Sequence, residues 1–270
     1  MRIPYYHIDA FTSQVFAGNP AGVCLLQKWM PDRVLQAVAA ENRLSETAFL
    51  VAEGMEYALR WFSPETEIDL CGHATLAAAH VLFTHLGLER DRPVHFASQS
   101  GKLAVTCRGE LYTLDFPARP GAESDIPEAL TQALGATPEG VFLARDIMAV
   151  FSSRAEIEAL QPDFAALAGL DCLGIIVTAP DDPGGADFVS RFFAPGAGIP
   201  EDPVTGSAHC TLTPYWAARL GKNELHAHQV SARGGQLFCE MRGERILISG
   251  RCVDYLTGTL HLPARPGVRS

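Results

Sequence analysis

The sequence predicts an α+β chain of two pseudo-symmetric lobes, each a curved, mainly antiparallel sheet around a central helix. Three observations carry that expectation. The first is an internal repeat, the feature to seek before any other, because missing it misreads the whole fold. At an offset of 134 residues, Gly72 and Ala74 fall on Gly206 and Ala208, and Leu86-Gly87 falls on Leu220-Gly221. Gly101 and Leu103 likewise fall on Gly235 and Leu237, and Arg108-Gly109-Glu110 on Arg242-Gly243-Glu244. Upstream, RWFSP at 60–64 matches RFFAP at 191–195, so the second copy carries a short insertion within GIPEDPV. The second observation is one long helical stretch at the repeat in each copy, 73–86 and 207–220. The first of these is apolar almost all round, and such a helix is normally enclosed. The third is a succession of short apolar strands with short connections, which favours antiparallel pairing over βαβ crossovers.

In chain order, the strands are AGVCLL (21–26), TAFLVA (47–52), YALRWF (57–62), KLAVTC (102–107) and LYTLDF (111–116). A helix over about 32–42 separates the first two. The second copy repeats the pattern with GIIVTA, DFVSRFF, QLFCEM and RILISG. Proline, glycine and acidic residues in PARPGAESDIPEAL (117–130) have linker composition. This places an N-terminal lobe at 1–117, joined by the C-terminal segment 257–270, and a C-terminal lobe at 118–256. The tail LPARPGVRS is polar and is expected to end in disorder.

The totals exclude several function classes. With 270 residues the length prior gives one or two domains, and 47% hydrophobic content supports a sizeable core. A formal charge of -10 supplies no basic field for a phosphate backbone, so no nucleic-acid partner is expected. The N-terminus MRIPYYHIDAFTSQVF lacks a signal-peptide core, and no apolar run is long enough to span a bilayer, so a cytoplasmic protein without membrane contact is expected. Seven scattered cysteines, never spaced Cys-x-x-Cys, argue against disulfides or a structural zinc site. His226 and His228 share a strand face, but no cysteine or carboxylate cluster accompanies them, and no metal is expected.

The chemistry concentrates at the mouths of the two central helices. The first turn of a helix leaves unpaired amides and a partial positive charge, and a glycine there lets a ligand approach the backbone. Both helices open with [Cys/Thr]-Gly-[His/Ser]-Ala: Cys71, Gly72 and His73 in one, Thr205, Gly206 and Ser207 in the other. Two such ends aimed at one cleft would suit a small carboxylate. Glu201 and Asp202 stand beside the second mouth, and Glu46, flanked by Ser45 and Thr47, stands where helix gives way to strand. An enclosed cleft can bring a carboxylate toward neutrality for acid/base work. Blander readings stand beside these: Glu46 as a solvated edge residue, Ser207 as a helix cap, Asp202-Pro203 as a turn, Cys71 as a small buried hydrophobe, and His80 and His85 as core or surface residues.

QSGKL lacks the Ser/Thr and upstream glycine of a P-loop, GNPAG is no dinucleotide fingerprint, and no Gly-x-Ser-x-Gly elbow exists. Proton transfer without a cofactor is the chemistry left.

Four motifs in order, FAGNPAGV (16–23), LSETAF (44–49), CGHATLAAAHVL (71–82) and EDPVTGSAHC (201–210), resemble the phenazine-biosynthesis PhzF-like isomerase family across essentially the whole chain. More distantly the chain resembles diaminopimelate epimerases and proline racemases. The resemblance implies a diaminopimelate epimerase-like fold with the active site between the lobes, a homodimer, and no cofactor or metal. The family's phenazine enzyme isomerises trans-2,3-dihydro-3-hydroxyanthranilate by moving a ring hydrogen from C3 to C1. Its catalytic glutamate matches Glu46, its histidine, aspartate and serine match His73, Asp202 and Ser207, and Asn19 matches a residue near substrate. Glu46 would then shuttle one proton on one face of the substrate. His73, Asp202 and Ser207, with the amides after Gly72 and Gly206, would hold a carboxylate and polar substituents.

Cys71 falls where the racemases carry one catalytic thiol, yet its counterpart is Thr205, a poor base, which disfavours two-thiol racemisation. A Cys71/Thr205-dependent dehydratase or epimerase of an amino or imino acid is the alternative, and a non-catalytic small-molecule-binding homologue is a second.

Overall fold

Apolar runs rich in β-branched and aromatic residues become strands here because their side chains pack on a pleated surface. The computed structural model describes residues 1–181 and 185–263. In chain order the elements are β1 (Arg2–Ala10), β2 (Asn19–Leu26), α1 (Asp32–Asn42), β3 (Glu46–Glu53), β4 (Glu56–Phe62), β5 (Glu67–Ile68), α2 (Gly72–His85), β6 (Val94–Ser98), β7 (Gly101–Arg108) and β8 (Leu111–Pro117). There follow β9 (Ala122–Ser124), α3 (Glu128–Leu134), β10 (Gly140–Leu143), β11 (Ile147–Val150), α4 (Arg154–Ala159), α5 (Phe164–Ala168), β12 (Ile175–Pro180), β13 (Phe188–Ala194) and β14 (Ile199–Asp202). The chain closes with α6 (His209–Leu220), β15 (Glu224–Gln229), β16 (Gly235–Arg242), β17 (Arg245–Gly250) and β18 (Cys252–His261).

Two compact units result: Met1–Asp115 with the chain from Gly250 onward, and Phe116–Ser249. Strand pairing repeats from one to the other. In the first unit the order is β18-β1-β2-β3-β4-β6-β7-β8, with β5 on β4. In the second it is β9-β10-β11-β12-β13-β15-β16-β17, with β14 on β13. Most pairs are antiparallel, as expected. Parallel pairs appear at matching places, β2–β3 and β4–β6 in one unit and β11–β12 and β13–β15 in the other. Each spans a helix, so βαβ crossovers do occur, contrary to the reading of short connections.

The limits expected from sequence shift by a few residues. Return to the first unit comes at Gly250 rather than 257, because β18 pairs with β1 from Arg2↔His261 to Ala10↔Cys252. The stretch 117–130 is more than a linker: β9 pairs with β10, and the Arg119 amide donates to the Cys210 carbonyl at 2.8 Å. That carbonyl needs a partner because Pro214 inside α6 has no N–H to offer it. Residues 264–270 of the expected disordered tail lie outside the described residues.

The helix α2 is buried from His73 through Phe83 and packs against β1, β2, β3, β7 and β18, as its apolar circumference requires. Each of its fully buried Leu and Phe side chains contributes about 1.5–3 kcal/mol. On the other side of this sheet, α1 covers Tyr5, Phe49 and Phe62 with Leu35 and Val38. In the second unit α6 holds the central place. Trp216 stacks on Phe188 with ring centroids 5.5 Å apart, and its Nε1 donates to Thr178 Oγ1 at 3.0 Å. The helices α3, α4 and α5 cover the outer side of that sheet. All seven cysteines are free thiols.

Candidate active site

Glu46 is the first residue of β3 and sits opposite Ala21 in the parallel β2–β3 register. A tight local sequence delivers it there. The helix α1 ends at Arg43, whose left-handed backbone (φ 52°) reverses the chain, and Leu44 and Ser45 lead straight into the strand. Ser45 Oγ donates to Asn19 Oδ1 at 3.4 Å, and Asn19, fully buried, opens the neighbouring β2. Gly18 makes that approach possible, since a Cβ at its φ of +67° would lie 2.2 Å from the Ala10 carbonyl oxygen. The solvated-edge reading of Glu46 therefore fails: the residue is only 8% exposed.

Cys71 stands in extended conformation at the start of α2, with Gly72 as its first helical residue. The Cys71 carbonyl receives the Thr75 amide at 3.2 Å and the Thr75 hydroxyl at 2.5 Å, which fixes the entry of the chain. His73 then points back to Glu46, with Nε2 3.1 Å from Oε2. On its other edge, His73 Nδ1 lies 3.5 Å from Cys71 Sγ. The imidazole thus bridges carboxylate and thiol through opposite nitrogens. This arrangement suits passing a proton better than converging on an ion, although the three donors lie within 4.8 Å of one another. The 3.1 Å contact is off the hydrogen-bonding line, so Glu46 Oε2 and His73 Nε2 are both buried without a well-directed partner. Buried polar atoms in native proteins are almost always paired, so this facing pair calls for a partner or a chemical role.

The electrostatics follow from burial and proximity. Burial alone would lower the His73 pKa, but the neighbouring Cys71 and Glu46 outweigh it and hold the imidazole well above the ordinary histidine range. Burial pushes the Cys71 thiol up, Glu46 adds to that rise, and His73 and the Ala74 amide pull the other way. These shifts favour the imidazolium form of His73 and the neutral thiol of Cys71.

At the corresponding place in the second unit the side chains are tied down. The Thr205 hydroxyl donates to Asp202 Oδ2, and the Thr205 amide donates to Gln229 Oε1 at 2.8 Å. Gln229 Nε2 returns to the Asp202 carbonyl at 2.8 Å. Glu201 forms a two-pronged pair with Arg191 at 2.7 and 2.9 Å, and that arginine also holds the carbonyls of Ile157 and Leu160, so Glu201 supports structure. The helix starts at His209 and not at 207. Gly206, Ser207 and Ala208 form a tight turn in which the amides of His209, Cys210 and Thr211 reach back three residues. Ser207 consequently caps nothing; its Oγ lies 3.5 Å from Arg145 Nη2.

Sequence reasoning missed Gln229 and Arg145, whose contacts join residues 24 and 62 positions apart and leave no local signal. It also missed His209, whose Nδ1 donates to the Thr205 carbonyl at 2.8 Å and whose pKa burial lowers to about 4. His226 stacks on Phe238 at 4.7 Å, and among the described residues no third donor completes a metal group with His226 and His228.

The family model for phenazine biosynthesis-like proteins, PhzC-PhzF, matches residues 8–258. An uncharacterised isomerase of Pseudomonas aeruginosa is 49% identical over 262 residues, covering 97% of this chain and 100% of that one. A solved phenazine biosynthesis protein of the PhzF family from Enterococcus faecalis is also 49% identical, covers 97% of this chain and 100% of its own, and superposes with a TM-score of 0.94. A hydroxyproline epimerase from Agrobacterium vitis, solved with trans-4-hydroxy-L-proline, shares the fold at a TM-score of 0.63 and 14% identity, covering 96% of this chain and 92% of its own.

Proposed function

The chain belongs to the phenazine biosynthesis-like protein family, and on that premise we propose that it is an isomerase that moves a proton on a small carboxylate-bearing substrate, with Glu46 as the general acid/base. One observation carries the reading: Glu46 Oε2 is buried 3.1 Å from His73 Nε2 at the mouth of an enclosed helix, and neither atom has a well-directed hydrogen bond. In the proposed reaction, Glu46 as carboxylate takes a proton from an acidified C–H and returns it to another carbon on the same face. The electron pair left behind shifts through the substrate's conjugated system. The His73 imidazolium and the positive end of α2 lower the cost of that charge. A buried base loses less of its strength to water, and one residue suffices because donor and acceptor carbons share a face.

We assign the holding of the substrate's carboxylate and polar groups to Gly72, Asp202, Thr205, Gly206 and Ser207, with Asn19 and Ser45 supporting Glu46. The recurrence in both copies of a glycine at or just ahead of the start of the central helix supports this assignment. A substrate resembling trans-2,3-dihydro-3-hydroxyanthranilate fits the chemistry.

The second reading rests on Cys71 Sγ, 3.5 Å from His73 Nδ1, as the group that matters in a dehydratase or epimerase. The raised thiol pKa weighs against it, since a neutral thiol is a weak base. Steady-state kinetics with dihydrohydroxyanthranilate separate the readings. The isomerase reading requires Glu46→Gln to lose turnover and still bind carboxylates, and Cys71→Ser to retain turnover. The reverse pattern would establish the thiol chemistry, and binding without turnover in the wild type would establish a non-catalytic homologue.

A further inference from the structure

The helix α2 carries a second cluster in its C-terminal half, apart from the residues at its mouth. Asp254 on β18 places Oδ1 2.8 Å from His85 Nε2 and 3.4 Å from His80 Nε2. The three donor atoms lie within 4.8 Å of one another. We propose that His80, His85 and Asp254 bind one divalent transition-metal ion of the zinc class, leaving a fourth position for water.

The distances fit such an ion. Metal–nitrogen and metal–oxygen bonds of about 2.0–2.2 Å in a tetrahedron set donors about 3.3–3.5 Å apart. The His80–Asp254 separation already matches. The 2.8 Å His85–Asp254 pair opens by a small rotation of the Asp254 and His85 side chains, which are 36% and 25% exposed. Neutral imidazole and carboxylate are the ligands expected in a three-residue zinc site with an open position.

The surroundings orient the buried member. His80 Nδ1 lies 2.9 Å from the Tyr112 hydroxyl, and that hydroxyl lies 3.5 Å from Thr84 Oγ1. If Nδ1–H donates to Tyr112 and Tyr112 donates to Thr84, the Nε2 lone pair is left facing Asp254. In that tautomer a cation between Nε2 and the Asp254 carboxylate is held from both sides. His80 is 7% exposed and its Nε2 makes no hydrogen bond. A histidine ligand whose other nitrogen is held by a neighbour is the usual arrangement around bound metals. Arg90, the nearby cation, is engaged with the Gly109 carbonyl at 2.9 Å.

The test is titration of the chelator-stripped, tag-free full chain with Co²⁺, followed by displacement with Zn²⁺. The expected result is one equivalent of cobalt with visible d–d absorption and no thiolate charge-transfer band. His85→Ala and Asp254→Asn, both at partly exposed positions that leave the core intact, should abolish binding. Tyr112→Phe should weaken it about 10- to 100-fold, and Cys71→Ser should leave it unchanged. The proposal is overturned if the wild type binds neither ion, if binding survives His85→Ala and Asp254→Asn, or if the cobalt spectrum shows a thiolate band that Cys71→Ser removes.

Discussion

The mouths of α2 and α6 share one repeated motif and differ in how their side chains are held. At the first, Glu46, His73 and Cys71 form a line of titratable atoms, and the two facing polar atoms of the acid and the imidazole lack well-directed partners. At the second, Asp202 accepts from the Thr205 hydroxyl, Gln229 braces the turn twice, and Glu201 is clamped by Arg191. The histidines follow suit. His73 is held well above its usual pKa by its neighbours Cys71 and Glu46 against the effect of burial, whereas His209, enclosed and facing a carbonyl, is lowered to about 4. The difference teaches that a duplicated frame can keep its backbone plan while the side chains at its two helix mouths take different partners.

The largest effect expected from this contrast is at Glu46. Glu46→Gln should cut turnover by about 10²- to 10⁴-fold, the usual contribution of a positioned acid/base. A variant of the second mouth such as Asp202→Asn should act mainly on KM, and steady-state kinetics with one substrate would distinguish the two.

Next in size is the opposite pH dependence of the two histidines. The folded pKa of His209 lies below its unfolded value, so its contribution is present above 6.5 and is lost as pH falls through about 4; full loss is worth about 3 kcal/mol. The folded pKa of His73 lies above 6.5, so its contribution is present below 6.5 and is lost as pH rises through the raised value. Urea unfolding across pH should show both flanks, with the alkaline flank reduced in Glu46→Gln.

Thr205→Val should destabilise by about 1–3 kcal/mol because Asp202 loses its hydroxyl donor. A cooperative unfolding curve shifted to lower urea would show it. Smallest of all, Cys71→Ser should leave turnover within a factor of a few.

Much of the frame is legible in the chain because it is written locally. The glycine and leucine identities at offset 134 give the duplication, and the apolar circumference of 73–86 gives an enclosed helix. What escaped depends on distant contacts. The parallel pairs need knowledge of which strands become neighbours after a helix crosses over. The turn at Gly206–Ala208 looks like the first turn of a helix until its three-residue bonds are seen. Glu46 and His73 are linked by no periodicity, and their nearness arises from β3 entering beside β2 while α2 is seated by strands on several sides. Recurrence of the helix-mouth motif in the two copies singles out His73, and the motif resemblance singles out Glu46. His85 and Asp254 are 169 positions apart, which is why His85 read as an ordinary core or surface residue.

The most direct measurement is the incorporation of solvent deuterium into a carboxylate-bearing substrate, followed by mass spectrometry or proton NMR. The account predicts that the wild-type chain washes deuterium into one C–H position, that Glu46→Gln does not while binding the same compound, and that Cys71→Ser exchanges at near wild-type rate. Exchange that continues undiminished in Glu46→Gln would contradict it.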